Sequence, residues 1–503
     1  MTRMTRWYDY ITFNIYFLGL TTLSQTNGTV IPLLIQHFMG EAQKGEYFGR
    51  YRLWTLMVAL LAQAFFGMLS DRSRLRWGRR RPFILTGTLL DVIFVVAIAL
   101  TAFMAGYSEQ GGQNAFGFWL MFAFAILLQI SSNIAHSAEQ GVMPDLVAEE
   151  KRGRFSSVKA MLELPVPLIL VFFLIKPIFD NKALPPATQI AAAMGVAVGV
   201  VVLSMLVAMF IPEKRREDAP PPLDWQPFLR LLAMTAVFTA IILSAGWVSE
   251  QVEALVAAVK TIPPLMLSMG LVGLAGMAIC VALGVWLSVR ISIGQEGVKR
   301  NPSFTWWVVN RLAFLVGATN LSTFVVYYFQ ARLGYEKTEA GGPAIMLQLF
   351  VGVFILLSAL PAGWLSDRFG KKRMAMLSGV IGAIGTAVAL SVPSLPVIYV
   401  GGSIIGIATG LFFTANWALG TVLVPKEEAG RYLGISNLAG AGAGAVGAYI
   451  GGPIADFVSA RGLEITTLSG KPTEGLGYML LFGIYGVIFL LSALALLKVK
   501  EPE

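Results

Sequence analysis

Apolar runs of about twenty residues recur along this chain from one end to the other. They fall near 11–37, 47–70, 82–104, 116–138, 155–178 and 187–211, then 229–247 and 264–290, then 303–330, 341–364, 374–392, 396–422, 432–456 and 476–497. About twenty apolar residues let a helix cross a bilayer, and the helices of soluble cores are shorter. Only 13% of the 503 residues are charged, against ~25% in a soluble domain. With 56% hydrophobic residues and a mean hydropathy of +0.69, the apolar surface is too large for one aqueous core. The expected class is an all-α polytopic membrane protein with 14 transmembrane helices. The basic start, MTRMTR, leads into an apolar run that continues to about Phe38 without a small-residue cleavage site, so it reads as a first membrane helix. The single Cys280 permits no internal disulfide.

The charges are unevenly placed. If alternate loops are assigned to opposite sides, 27 of the 38 Lys and Arg fall on the side of the N-terminus and 10 on the other, with Arg311 inside a span. Cytoplasmic loops collect Lys and Arg, which predicts both termini inside. The same rule accounts for the net charge of +9 without a nucleic-acid partner. Trp7, Trp119, Trp306 and Trp307 are expected as interface anchors.

A short pattern appears twice. "GMLSDR" from Gly67 is matched by "GWLSDR" from Gly363, and "EEKRGRF" from Glu149 is echoed by "EEAGRY" from Glu427. Both pairs follow the second and fourth spans of a six-span block, which implies two related halves. The expected organisation is residues 1–211 as one half, 212–302 as a charged, proline-rich linker with two additional spans, and 303–503 as the other half. An even number of central spans leaves both halves in one orientation.

Two six-helix halves, each with G-x-x-x-D-R-x-G-[RK]-[RK] after its second helix, resemble the major facilitator superfamily of transporters. The second copy, with Gly363, Asp367, Arg368, Gly370, Lys371 and Lys372, follows the pattern closely. The first copy, from Gly67 and Asp71 to Arg79 and Arg80, has four additional residues and ends "RWGRRRPFI". That stretched form, with "NIAHSAEQGVMPDL" in the fourth span, resembles the plant sucrose transporters and their animal and bacterial relatives. The resemblance implies alternating access, in which the halves rock to expose a midplane site to each side in turn. It also implies a cytoplasmic latch, with Asp71 accepting from free backbone N–H groups at a helix start and Arg79 or Arg80 pairing with Asp145. Gly67, Gly363, Asp367 and Arg368 belong to the same device because they recur in both halves.

Polar side chains inside spans face a cavity or another helix. Gln129, Asn133, His136 and Gln140 share one helical face, as do Asn14, Thr21 and Gln25 in the first span. Asn320, Thr323 and Tyr327 lie in the span that begins near 303, with Arg311 about eight residues into it. Asn416 and Trp417 lie in the span near 396–422. Amides and aromatic faces suit a sugar or glycoside, since amides both donate and accept and rings cover C–H patches. The alternative for each polar residue is an interhelical hydrogen bond.

The plant group's protonatable Asp aligns with Gln129, its sugar-contacting Arg with Gln140 and its Pro with Ala138, so proton coupling is not inherited by motif. The intramembrane acids Glu139, Glu163 and Asp91 are the candidate proton carriers. Gly440, Gly444, Ala448 and Gly452, four apart, predict a close helix contact. Without a Walker motif, HExxH or a nucleophile constellation, neither ATP drive nor an enzyme is expected, and no metal or cofactor. The implied partners are a small sugar or glycoside, a coupling proton or other cation, and membrane lipid, for a monomer in the cytoplasmic membrane. An exporter of another amphiphilic solute, or a non-transporting sensor of the same fold, remains open.

Overall fold

A helix closes its backbone hydrogen bonds within one segment, which is what an apolar run in lipid requires. The structure, a computed structural model, describes residues 6, 8–148, 151–213, 224–259, 261–424, 429–462, 465–466, 472–473 and 475–500. Trp7 and the acidic starts of one repeated motif (Glu149, Glu150, Glu427 and Glu428) lie outside the described residues. The long helices are α1 (Ile15–Met39), α2 (Lys44–Asp71), α3 (Arg81–Thr101), α4 (Ala115–Gln140), α5 (Arg154–Asp180), α6 (Pro186–Ala208), α7 (Gln226–Leu255) and α8 (Ile262–Arg300). They continue with α9 (Pro302–Thr323), α10 (Val325–Leu333), α11 (Gly341–Phe369), α12 (Lys371–Ser391), α13 (Leu395–Leu423), α14 (Ala429–Ser459) and α15 (Leu476–Ala495).

Among the described residues, twelve helices are long and apolar enough to cross a membrane, and α9 with α10, bent by 56°, makes a thirteenth. The helix α1 is 25 residues long but carries seven polar side chains between Thr21 and Thr29, and it is not in that set. Two two-residue strands, Ile465–Thr466 and Pro472–Thr473, pair antiparallel before α15.

The chain divides into two compact units, and the division runs through α2. The first unit holds Met1–Phe38 and Val58–Phe228. In it, Gly19 of α1 packs on Val201 and Ser204 of α6, and Gly87 of α3 packs on Ser131 and Ala135 of α4. A side chain at either glycine would meet the neighbouring backbone, so small residues set these helix separations. A buried cluster including Phe13, Tyr16, Ile84, Phe155 and Met205 joins these helices. In α5, a π turn at Val171–Ile175 precedes Pro177, which has no N–H to continue the α ladder.

The second unit holds Met39–Met57 and Leu229–Glu503, and so contains both central helices α7 and α8. The small residues of α8 face their neighbours as their spacing suggests. Gly284 lies against Phe238 of α7, Cys280 Sγ is 3.8 Å from the Ile241 carbonyl, and Gly273 packs on Ile454 and Ile484. The stripe on α14 is also a contact face: Ala448 and Gly452 meet Gly49 and Gly45 of α2, and Gly444 meets Arg52 and Leu56. Gly440 has no such neighbour among the described residues.

Candidate functional site

Three polar clusters hold most of the residues singled out by sequence. The first surrounds the loop between α2 and α3. Gly78, at φ +108°, turns the chain through a conformation that L side chains rarely adopt and brings Arg80 back under α2. Arg80 is buried and divides its guanidinium among three partners. Nε donates to Asp145 at 2.8 Å, Nη1 to Ser70 at 2.6 Å and Nη2 to Asp71 at 2.5 Å. Arg79 also pairs with Asp145. Gly141 lies against the guanidinium, leaving no space there for a side chain. The free N–H groups at the start of α3 are taken by Glu213, which accepts from Arg80 N at 2.8 Å and Arg81 N at 3.0 Å. The acceptor expected at a helix start is therefore Glu213, while Asp71 serves the Arg80 side chain. Sequence placed Glu213 in a charged linker and gave no sign of its distant partner.

The repeated motif is not assembled in the same way. Gly363 has an open surround, Asp367 is exposed and makes no ion pair among the described residues, and Arg368 lies over Trp364 and Phe369 at 5.3 and 5.5 Å.

The second cluster is on α3, α4 and their neighbours. Asp91 is fully buried and accepts from Ser131 and, at 2.8 Å, from Ser132. Neither serine was anticipated. Glu139 is 1% exposed, and among the described residues neither carboxylate oxygen has a hydrogen-bond partner. His136, three residues before Glu139 on α4, takes a bond from the Gln140 amide at 3.1 Å and touches the edge of Phe17. Gln63 donates to Gln140 at 3.3 Å. Lys159 stands 4.2 Å over the Phe17 ring and 3.8 Å from Glu163. The other amides here turn to backbone. Asn133 donates to the Gln129 carbonyl at 2.8 Å, and Asn14 to the Tyr10 and Phe155 carbonyls at 2.9 and 3.3 Å. Thr21 and Gln25 are half-buried on α1.

The third cluster lies within the second unit. Arg311 of α9 donates from Nη1 to Asn416 Oδ1 of α13 at 3.0 Å. Its guanidinium is 5.9 Å from the Trp307 ring and 5.7 Å from that of Trp417. Asn416 donates in turn to Asn310 at 2.8 Å, and Trp307 Nε1 donates to the Asn416 carbonyl at 2.9 Å. Trp307 is 1% exposed, so it is a core residue and not an interface anchor, whereas Trp119, Trp306 and Trp417 are exposed. Among the described residues Arg311 meets an amide and no acid, and its Nε is buried without a partner. Asn320 donates to the Val316 and Ala443 carbonyls beside the α9–α10 bend, with its Oδ1 buried and without a hydrogen-bond partner among the described residues, and the Thr323 hydroxyl donates to the Thr319 carbonyl.

Tyr327 joins a network at the start of α2 that sequence reasoning missed. Lys44, 3% exposed, donates to Glu41 at 2.5 Å and Gln330 at 2.9 Å, with its ammonium 4.8 Å from the Tyr327 ring. Asp456 accepts from Glu46 N at 2.8 Å and from Tyr478 at 3.1 Å. A lysine at the start of one apolar run and an acid at the end of another were the available signals.

Two family descriptions match, "MFS/sugar transport protein" over residues 47–249 and "Major Facilitator Superfamily" over 307–503. The sucrose transport protein SUT1 of Oryza sativa subsp. japonica is 29% identical over 118 residues, 20% of each chain. The minor myo-inositol transporter IolF of Bacillus subtilis is 33% identical over 134 residues, 27% of this chain and 29% of that one. The matched stretches thus span a fifth to under a third of these relatives' lengths. Two solved structures share the fold over nearly the whole chain. They are a mutant of the nucleoside transporter NupG, with TM-score 0.64, 10% identity and coverage of 98% of this chain and 100% of that one, and a D-xylose-proton symporter, with TM-score 0.62, 16% identity and coverage of 99% of both chains. Matches to one superfamily over residues 47–249 and 307–503, on a polytopic helical fold of that kind, show that the chain belongs to the major facilitator superfamily, a class of transporters and not of enzymes.

Proposed function

We propose that the protein is a secondary transporter of a neutral sugar or glycoside, working by alternating access with symport of a proton or other cation. The observation that carries the substrate class is the Arg311 group. A guanidinium oriented by Asn416 offers donors for hydroxyl oxygens, and the exposed Trp417 ring beside it offers a face for the C–H side of a pyranose. The named activities of the partial relatives, sucrose and myo-inositol transport, belong to the same polyhydroxylated class.

In this reading α1 is the fourteenth span, since its polar stripe can face water or substrate while the remainder meets lipid. Both termini lie inside, and the protein works as a monomer in the cytoplasmic membrane. The group of Arg79, Arg80, Asp71 and Asp145 acts as the inner latch, and Asp367 takes its partners in another state of the cycle. Glu139 is the proton carrier proposed first, because it is buried with no hydrogen-bond partner among the described residues. Glu163 already faces Lys159, and Asp91 is held by two serines.

The test is uptake of radiolabelled sucrose, maltose, glucose and myo-inositol by proteoliposomes, with and without an inward proton gradient. Saturable uptake of one of them, increased by the gradient, is expected. Absence of uptake and of counterflow for all four would overturn the sugar assignment. Uptake indifferent to the gradient would overturn proton symport alone.

A further inference from the structure

The second central helix ends in a feature that transport chemistry does not use. Gly294, at φ 78° and ψ 169°, breaks α8 before its last six residues. Nothing lies within 4 Å of the position where its side chain would stand, so the turn and not packing calls for glycine. The break sits beside a groove of about 610 Å³ between α8 and α9. Ile279, Ala282, Leu283 and Trp286 line one wall, Trp306 and Val309 the other, and Val298 from beyond the break also lines it. The size falls within the ~300–1,000 Å³ of small-ligand sites.

Three cations follow the apolar wall along the chain, Arg290 before the break and Lys299 and Arg300 beyond it, next to the lining residue Val298. Arg290 continues the face formed by Ile279, Leu283 and Trp286, since their spacings of four, three and four keep one side of a helix. Its guanidinium is 5.3 Å from the Trp286 ring and donates to Gln295 at 3.3 Å. Lys299 and Arg300 follow the break, both exposed. Glu296 is the one acid between 290 and 300, and its pair with Arg300 is 3.7 Å long with both side chains more than 80% exposed, so it neutralises little.

We propose that this groove binds the acyl chain of an anionic phospholipid, with the headgroup phosphate on Arg290, Lys299 and Arg300. The groove is apolar, runs along two membrane-spanning helices and is rimmed by Trp286 and Trp306, the residue type that settles at headgroup level. Arg290 lies one helical turn beyond Trp286, at one end of the apolar wall, and Lys299 and Arg300 adjoin the lining residue Val298 in sequence, so charge and apolar wall meet as a lipid's polarity requires. Cations near an anionic bilayer surface attract the lipid headgroups electrostatically. A second copy of this chain would bring an apolar helix to the groove and leave the three cations without a counter-charge.

The full chain would be unfolded thermally in detergent containing phosphatidylglycerol or phosphatidylcholine with identical chains. Phosphatidylglycerol is expected to raise the unfolding temperature by a few degrees more than phosphatidylcholine. The triple variant Arg290→Gln, Lys299→Gln, Arg300→Gln should lose that excess and keep the response to phosphatidylcholine. Ala282→Phe, which fills the groove and leaves the cations, should weaken quenching of tryptophan fluorescence by phosphatidylglycerol brominated in its chains. Equal shifts for the two lipids in the wild type, or an excess that survives the triple variant, would overturn the proposal. A full shift with glycerol 1-phosphate alone would make this a free-anion site and overturn the lipid assignment, and dimerisation blocked by Ala282→Phe would assign the groove to a second copy.

Discussion

Arg80→Lys keeps the charge and removes the fork. In the native protein three nitrogens at three positions serve Asp145, Ser70 and Asp71. A lysine carries all its donors on one nitrogen and cannot occupy all three places. The losses are unequal. Asp71 has a carboxylate 57% exposed, so its pair is worth at most about 1 kcal/mol. Asp145 retains Arg79. The Ser70 hydroxyl is in a fully buried residue, and a hydrogen bond there from a charged donor is worth ~1.5–3 kcal/mol. The expected loss is about 2–3 kcal/mol. At ~1.4 kcal/mol per factor of ten, this shifts an equilibrium that depends on the cluster by roughly 30- to 140-fold. The assay is substrate counterflow in proteoliposomes alongside thermal unfolding in detergent. Arg80→Lys should slow exchange and lower the unfolding temperature, and Asp71→Asn should do both more weakly. A wild-type rate and unfolding temperature for Arg80→Lys would refute the fork argument. A lower unfolding temperature with an unchanged rate would make the cluster structural and remove the latch.

Asp367→Asn should slow transport with little change in unfolding temperature, because that carboxylate is exposed and unpaired among the described residues; parallel counterflow and melting measurements check it. Glu139→Gln should abolish pH-driven accumulation while counterflow persists, and accumulation at the wild-type level would pass the carrier role to Glu163 or Asp91. Asn416→Ala takes the hydrogen-bond partner shown here from both Arg311 and Asn310 and should cost about 2–4 kcal/mol of stability while raising the half-saturation concentration for substrate; melting and uptake kinetics read the two effects. Gly45→Ala would drive a methyl group to 2.6 Å from the Gly452 carbonyl oxygen. The overpacking, about 1–3 kcal/mol, should part α2 from α14 and increase thiol-reagent access to a cysteine introduced at Gln330.

Composition and period alone determined that this is a polytopic helical protein, and the repeated motif carried the expectation of two related halves. These signals are local: an apolar run of twenty residues has few ways to satisfy its backbone in lipid. The small-residue stripe on α14 was legible for the same reason, since only close backbone approach makes use of glycine every four residues. The roles of individual polar residues were not legible. A polar side chain within an apolar run must find a partner, and sequence reveals that need without revealing who meets it. The side-chain amides of Asn14, Asn133 and Asn320 donate to backbone carbonyls, while Asn320 Oδ1 is buried without a hydrogen-bond partner among the described residues. Arg311 and Asn416 meet across 105 residues of chain, Arg80 and Glu213 across 133, and Glu46 and Asp456 across 410. Only the packing of whole helices brings such residues to hydrogen-bond distance. The tertiary structure therefore decided which amides are bonded internally, which charges share a cluster, and which acid, among the described residues, was left buried without a hydrogen-bond partner.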